Sequence, residues 1–568
     1  SVAHVRGRMF VTNSSDNSLD IVDIEDPALP ERIRRVDLSA YGAGPNSVAV
    51  RGRIVAVAVE ADPKTAPGKV VFFDADGNYL NQVVVGALPD MLTFTPNGRN
   101  LLVANEGEPD GEDPEGSVSI LYVPRTPWLL AHMSSNLQRW VRTADFRAFD
   151  WKHLEKNGVR IIDPSIPPSQ DLEPEYITIS KNSSFAWVAL QEHNAVALLD
   201  IRKARFVWIR GLGLKDYNIP GYGLDASDRD NLINIQNWPV LGMYQPDAIA
   251  AFQAAGQTYL ISANEGDARD QYETRVKDLQ LDSVAFPNAA EIQEDENLGR
   301  LNVTSANGDL DKDGDYDELW AYGGRSFSIW TAEGDLIYDS GDDFEQIVAS
   351  VYPANFNSDN DENSFDSRSD NKGPEPEGVT VGRISGRTYA FVGLERIGGV
   401  MIYDITDPYE PQFVQYSNNR DFALQPPGPD SGPEVLVFVP SFESPTRNAL
   451  LLVSNEVSGT VTVYEAGSQR DEVTLTLLHN NDGESSLLPL VNNVSGIELP
   501  IGGISAFKTL TEGQIRQARA AGHSVVNVYA GDAFLASATL ACSLPPNPPD
   551  TPVYDAVAQR QIPYDAHV

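Results

Sequence analysis

A two-part motif recurs six times along this 568-residue chain and constrains the fold more than any other feature. Its first part is Pro followed by an acid or amide and then an apolar run: Pro45-Asn46, Pro89-Asp90, Pro174-Glu175, Pro246-Asp247, Pro376-Glu377 and Pro433-Glu434. Its second part follows 14 to 22 residues later, where a run of small apolar residues ends in Glu60, Glu106, Glu192, Glu265, Glu395 or Glu456. Recurrence at such a period signals a repeat architecture. In an antiparallel hairpin the start of the first strand and the end of the second share one edge, so the two acids of each unit converge. Units set around an axis would therefore turn a ring of carboxylates toward one opening.

A third strand follows most of these acids: Gly68–Asp74, Gly116–Tyr122, Asn194–Asp200, Gly399–Asp404 and Gly459–Tyr464, apolar residues interleaved with small ones and bounded by Gly and Asp. The opening stretches Met9–Asn13 and Asn17–Ile24 match the second and third strands of a unit that lacks its first. Six full units and one partial unit predict a mainly β fold, a seven-bladed β-propeller over residues 1–471. Closure then needs an innermost strand for the first blade, expected from upstream of Ser1 or from the far end of the propeller. The absence of an initiator Met and a start almost inside a strand point to a processed or trimmed N-terminus.

With 42 basic and 81 acidic residues the formal charge is −39, a field that repels nucleic acid and anionic membranes and favours divalent cations. An acidic, solvated surface suited to a saline habitat reads the same composition equally well. At 41% apolar residues the chain can bury a large core, and no apolar run approaches a membrane span. One cysteine, Cys542, excludes an intrachain disulfide framework. The seven histidines show no zinc spacing, no nucleophile elbow is present, and packing in blades and insertions accounts for the eight tryptophans better than sugar stacking does.

Three insertions interrupt the repeat, at residues 122–170, 205–245 and 266–372. The last contains the sharpest local motif, Asp309-Leu310-Asp311-Lys312-Asp313-Gly314-Asp315-Tyr316-Asp317-Glu318. Oxygen ligands at alternate positions with Gly at the sixth match the first half of a calcium loop, because a tight turn wraps hard carboxylates around a cation that takes six to eight oxygens. Trp320 stands at the twelfth position, where an EF-hand carries its bidentate Glu, so Glu318 or another segment must complete the shell. Ca2+ is the expected ion, in a structural role.

A second acid-rich stretch, residues 357–378, runs into the first strand of a blade. It reads either as a polar loop or as part of a site at the propeller mouth. There Glu375, Glu377 and Glu395 would hold a metal and Arg396 would meet an anion such as phosphate. The run from Tyr338 to Glu345, through Asn371–Val379, to Gly393–Val400 resembles the choice-of-anchor I family, which includes mesenchyme-specific cell-surface glycoproteins. Ala104-Asn105-Glu106-Gly107-Glu108-Pro109 and its echo at Ala263–Ala268 carry the same resemblance. It covers residues 1–466 and implies an exported, surface-associated, propeller-like protein, found at the cell surface, outside the cell or in the periplasm. Some bacterial members are labelled alkaline phosphatases.

Residues 472–568 change character. A strand ending at Asp482, a helix-like stretch at 511–521, a strand ending in Gly531-Asp532 and a helix-like start at Tyr554 suggest a parallel α/β unit with ligands at its strand ends. This segment resembles the start of a calcineurin-type metallophosphoesterase of the 5′-nucleotidase kind. The resemblance implies metal-ligand roles for Asp482 and Asp532, with a Zn2+, Mn2+ or Fe pair only where the full domain is present. Glu484 stands where that family has a His, and the later histidine ligands are missing from the chain.

Two functions follow as expectations. One is an exported calcium-binding propeller of a phosphomonoesterase or nucleotidase polypeptide, with Glu377, Glu395 and Arg396 as the catalytic candidates. The other is a non-enzymatic surface or matrix module that binds calcium, mineral or a partner, and assembles, through its acidic ring.

Overall fold

A computed structural model describes residues 1–424, 427–467, 475–481, 490–494, 497–501, 513, 516–517, 524–530 and 566–567. Within residues 1–467 the repeat folds into antiparallel sheets, numbered here in chain order. Sheet 1 is Val2–Val5, Arg8–Asn13, Ser18–Asp23 and Glu31–Asp37. Sheet 2 is Pro45–Arg51, Ile54–Val59, Pro67–Asp74 and Tyr79–Ala87, and sheet 3 is Pro89–Phe94, Asn100–Asn105, Ser117–Tyr122 and Val141–Asp145. Sheet 4 comprises Ile177–Ile179, Phe185–Leu190, Ala195–Asp200 and Arg205–Gly211; sheet 5 comprises Ile249–Ala254, Gln257–Asn264, Ser326–Thr331 and Leu336–Asp339. Sheet 6 begins with Pro376–Ile384, Arg387–Leu394 and Val400–Asp404, and sheet 7 is Pro433–Val439, Ala449–Asn455 and Thr460–Ala466.

The first strand of each sheet lies beside the first strand of the next, and that of sheet 7 lies beside that of sheet 1, so the circuit closes in a propeller-like arrangement. The core is divided among the gaps between consecutive sheets. Ile54–Val59 shows why its sequence carries no polar residue: successive side chains alternate faces, and here both faces are covered. Val55, Val57 and Val59 pack with Phe10 and Ile21 of sheet 1, while Ile54, Ala56 and Ala58 pack with Leu101 and Val103 of sheet 3. Each fully buried Val or Leu contributes about 1.5–3 kcal/mol.

Sheet 1 corrects the expectation of a missing inner strand. Val2–Val5 supplies it, paired Val2 to Val11 and Val5 to Arg8. Closure is by side-chain packing, with Val2, Met9 and Ile24 against Val439, Leu450 and Leu452. The insertions also differ from expectation, because each contains a strand of the repeat itself: Val141–Asp145, Arg205–Gly211, and the pair Ser326–Thr331 and Leu336–Asp339. The remaining parts of the second and third insertions meet in a five-stranded sheet of their own, ordered Leu214–Asp216, Leu241–Met243, Trp320–Ala321, Asn302–Thr304 and Glu273–Arg275. Tyr217, Leu224, Phe286, Leu298, Leu301 and Leu319 fill its separate core. Packing claims Trp187 and Trp330, but Trp128 and Trp140 stand on the surface.

By contacts the chain divides into two units, the first Ser1–Gln412 with Ser417–Gly467 and the second Phe413–Tyr416 with Ser468–Val568. In the second, Leu475–Asn481 and Ser524–Ala530 run parallel in register from Leu475 opposite Ser524 to Asn481 opposite Ala530. Asp482, Glu484 and Asp532 lie outside the described residues. No described helix is long and apolar enough to cross a membrane.

Candidate metal centre

One local device recurs at the start of the sheets. In sheets 3, 6 and 7 the opening Pro pairs with the last residue of the second strand, as Pro89 with Asn105, Pro376 with Leu394 and Pro433 with Asn455. The register then slips, two residues of the first strand opposing one of the second. Such a bulge re-aims the side chain it carries, and the residues so placed are Asp90, Glu377 and Glu434. The N–H groups of Glu60, Glu106, Glu395 and Glu456 donate to the carbonyls of Gly44, Leu88, Glu375 and Gly432, each one residue before the opening Pro. The two acids of a unit are thereby fixed at one edge of its sheet.

Electrostatics shows which acids meet across sheets. Burial first, then the charges of Glu434 and Glu60, push Asp90 up to about 7. Burial raises Asp247, helped by Glu265, Asp90 and Glu434. Burial raises Glu377, helped by Glu395, Glu265, Asp247 and Glu434. Glu106 is raised by burial, Asp90 and Glu192, and Glu175 by burial, Glu192, Glu106 and Asp247. Glu456, more open, is raised by burial and Glu434. Carboxylates from sheets 2 to 7 therefore feel one another, and among the described residues Asp90, Glu175, Asp247, Glu377 and Glu434 form no ion pair. The Oε2 atoms of Glu175 and Glu377 are buried without a hydrogen-bond partner. A carboxylate oxygen left so costs free energy that a cation would recover.

Glu265, Glu375 and Glu395 form a second group, one carboxylate oxygen of each lying within 4.8 Å of the others. Here the chain supplies its own cations. Lys372 Nζ sits 2.7 Å from Glu265 Oε1 and 3.0 Å from Glu375 Oε2. Arg368 reaches Glu375 Oε1 at 2.5 Å, and Arg396 Nε lies 3.0 Å from Glu375 Oε2 and 3.2 Å from Glu395 Oε2. Asn360 donates to Glu395 Oε1 at 2.7 Å, and Gln191 donates to Glu265 Oε2 at 3.0 Å. Burial alone would raise Glu375, but Lys372, Arg368 and Arg396 override it and bring it down to about 2. Glu395, pushed up by burial, Glu375 and Glu265, rises to about 9. Three acids balanced by three bases leave little demand for a metal. Arg396 also approaches Asp359 at 3.4 Å and donates to Asn360 Oδ1 at 3.2 Å, so its guanidinium faces carboxylates and an amide.

A third group extends the acidic edge. Asp171 accepts from His193 at 3.1 Å, both side chains fully buried, and Arg269 pairs with Asp171 and with Glu173 at 2.8 Å. Burial and the adjacent Glu192 push Glu173 up to about 12. Trp151 stacks on the His193 ring at 5.6 Å. Sequence reasoning singled out Glu192 here but missed Asp171, Glu173 and Arg269, as it missed the roles of Lys372 and Arg368. The basic residues set within the acidic run 357–378 were the available signal.

The acidic loop lies apart from these groups in sequence and in its own sheet. Asp309, Asp311 and Asp317 bring one oxygen each within 4.8 Å. Gly314 sits at φ +102°, a conformation that side-chain-bearing residues rarely adopt, and its N–H donates to Asp309 Oδ2 at 3.1 Å. Asp309 Oδ1 is buried without a partner. Asp313 is exposed and accepts from the Asp315 backbone N–H at 3.2 Å. Burial and the neighbouring Asp313, Asp317 and Asp309 raise Asp311. Glu318 accepts from the Trp320 indole at 2.8 Å. The donor set is all oxygen, has no basic partner among the described residues, and fits a hard divalent cation.

The model of the choice-of-anchor I domain matches residues 1–408. Gigasin-3a of Magallana gigas is 36% identical over 191 residues, which cover 30% of this chain and 66% of that protein. The mesenchyme-specific cell surface glycoprotein of Strongylocentrotus purpuratus is 26% identical over 293 residues, covering 43% of this chain and 37% of that protein. The matches thus span less than two thirds of these curated relatives. Similar solved structures include Kuenenia stuttgartiensis hydrazine synthase, at TM-score 0.42 and 12% identity over 82% of this chain and 94% of that one. The Toxoplasma gondii coronin WD40 domain aligns at TM-score 0.39 and 9% identity, over 83% of this chain and 82% of that one. With a family model matched over most of its length, the chain belongs to the choice-of-anchor I family.

Proposed function

We propose that this chain is a calcium-binding, seven-bladed β-propeller module of an exported, surface-associated protein, acting through binding and assembly. The observation that carries the reading is the set of buried acids from successive sheets, Asp90, Glu175, Asp247 and Glu377, each raised by burial and by neighbouring carboxylates, Glu434 among them, with no side-chain ion pair among the described residues. Proximity of like charge is a standing cost, which a divalent cation offsets. Asp309, Asp311 and Asp317 would hold a second, structural ion. The surface location is carried over from the relative described as a cell surface glycoprotein.

Calorimetric titration of the full chain with Ca2+ tests this directly. Two classes of site are expected. Asp309→Asn should weaken one by about tenfold or more through loss of ligand charge, and Glu377→Gln should weaken the other alone. Absence of calcium binding to wild-type protein at millimolar concentration would overturn the reading.

A second reading keeps the propeller within a phosphomonoesterase polypeptide, with Glu377, Glu395 and Arg396 acting on a phosphate ester. The parallel pairing of Leu475–Asn481 with Ser524–Ala530 favours it. It requires calcium-dependent turnover of a chromogenic phosphate ester that Arg396→Ala abolishes; binding of calcium without turnover supports the surface module.

A further inference from the structure

At the strand ends opposite the acids, three sheets place arginines close together, with Asp23, Asp74 and Asp76 at the same edge. In three consecutive sheets the turn from first to second strand contains an Arg next to a Gly: Arg6-Gly7, Gly52-Arg53 and Gly98-Arg99. Two pockets open at these turns. One, of about 270 Å³, is lined by Arg6, Arg8, Arg53 and Asp76 among others. The other, of about 370 Å³, is lined by Arg99, Tyr122, Val123 and Arg125. Arg51 and Arg53 lie two residues apart and link them. Arg53 pairs with Asp76 at 3.2 Å in the first pocket, while Arg51 donates to the carbonyls of Val123 at 3.2 Å and Pro124 at 2.6 Å beneath the second.

Asp76 is the one acid among the residues lining either pocket, and Arg8 already takes it at 2.8 Å. Arg99 and Arg125 are exposed and have no carboxylate partner among the described residues. The Arg51 guanidinium, over the Phe94 ring at 4.9 Å, is held below its ordinary value by burial and then by the charge of Arg125. On a chain of formal charge −39, Arg6, Arg99 and Arg125, which form no ion pair among the described residues, are a local concentration of positive charge, beside Arg8 and Arg53 that share Asp76. Beside it stand two aromatic faces, Tyr122 at 43% and Trp140 at 49% exposure, their ring centroids 5.3 Å apart.

We propose that this edge binds an acidic polysaccharide, with its sulfate or carboxylate groups on Arg6, Arg53, Arg99 and Arg125 and a sugar ring against Tyr122 and Trp140. A guanidinium fork matches the planar carboxylate and the sulfate group. A small anion fills one pocket, whereas a linear polymer charged on successive residues spans both. The aromatic pair gives the apolar face of a sugar ring a surface to cover. The site lies away from the carboxylate ring and does not depend on the calcium reading.

The test measures binding of the full chain to immobilised heparin and polygalacturonate in EDTA, with neutral dextran as the control. Binding to at least one acidic polymer, weakening steeply with added salt, is expected. The Arg99→Ala/Arg125→Ala pair should lose about tenfold or more, as two charge-assisted contacts imply. The Arg99→Lys/Arg125→Lys pair keeps the charge without the fork and should lose less than the alanine pair, and an unchanged melting temperature in both pairs separates lost contacts from lost fold. Trp140→Ala should weaken polysaccharide binding too. Three results would overturn the proposal: no binding to either acidic polymer, binding that needs calcium and so bridges to the acidic ring, or binding indifferent to the alanine pair. Inorganic phosphate bound as tightly as the polymers would overturn it as well.

Discussion

Arg325 is a full charge taken almost entirely out of water, and its donors account for why the chain keeps it. Its guanidinium pairs with Glu345 at 2.5 Å and donates to the carbonyls of Asp225, Ser369 and Asn371, each at 2.7 Å. Those carbonyls belong to the second and third insertions, so one side chain pins to each other the segments that lead into Lys372 and Glu375. Replacing it with Met keeps the volume and leaves Glu345 buried without its partner. Breaking a buried pair in this way costs about 3–5 kcal/mol. Arg325→Met should therefore lower stability by that amount in chemical denaturation. It should also loosen the 366–373 segment, read as faster hydrogen exchange there. A stability change near zero would mean that the insertions hold that segment by other contacts.

At the scale of elements, the bulged strand starts decide how closely sheets approach. Gly378 follows Glu377 in the bulge of sheet 6, and a Cβ there would stand 2.0 Å from the Glu434 carbonyl and 2.6 Å from Leu436 Cδ1 of sheet 7. Backbone cannot yield as a side-chain end can. Gly378→Ala should separate the two sheets at the acidic edge, costing about 1–3 kcal/mol by overpacking. Gly467→Ala, whose Cβ meets nothing nearer than 3.9 Å, is the matched control. Equal melting temperatures for the two variants would count against tight apposition. This edge was legible in the sequence because Pro, the acid and the strand-ending Glu are local and recur in the same order, 14 to 22 residues apart. Val2–Val5 was not, since it opens without the Pro-acid signature. The third strand of sheet 5 was hidden by distance, Ser326 pairing with Asn264 across 61 intervening residues. The pairings of Lys372 with Glu265 and of Arg269 with Asp171 escaped for the same reason, since a partner brought in from another segment leaves no period to read, whereas Arg368 and Lys372 beside Glu375 were a local signal left unread.

Across the whole molecule, the raised carboxylates make stability a function of pH, and under the proposed calcium reading a function of calcium as well. Asp90 of the ring, raised from 3.8 to about 7, and Glu395 of the base-paired group beside it, raised from 4.5 to about 9, bind protons more tightly folded than unfolded. Such groups stabilise the fold fully below their unfolded values, and that contribution is lost as pH rises through the folded ones. Glu375, depressed to about 2, works in the opposite sense: its contribution is full above 4.5 and lost as pH falls through about 2. In chelator the melting temperature should therefore decline from about pH 5 to about pH 9, the window of the raised acids. Calcium should reverse the decline, because the cation replaces the proton as the ring's counter-charge. Its stabilising increment should grow over the same window as the acids ionise. Glu377→Gln removes one charge from the ring and should flatten both trends, raising the melting temperature of the calcium-free protein at high pH while reducing the calcium increment. A calcium increment that stays constant from acid to alkaline pH would locate the ion at the exposed acidic loop alone. The carboxylate ring would then be a protonated, structural feature of the propeller mouth.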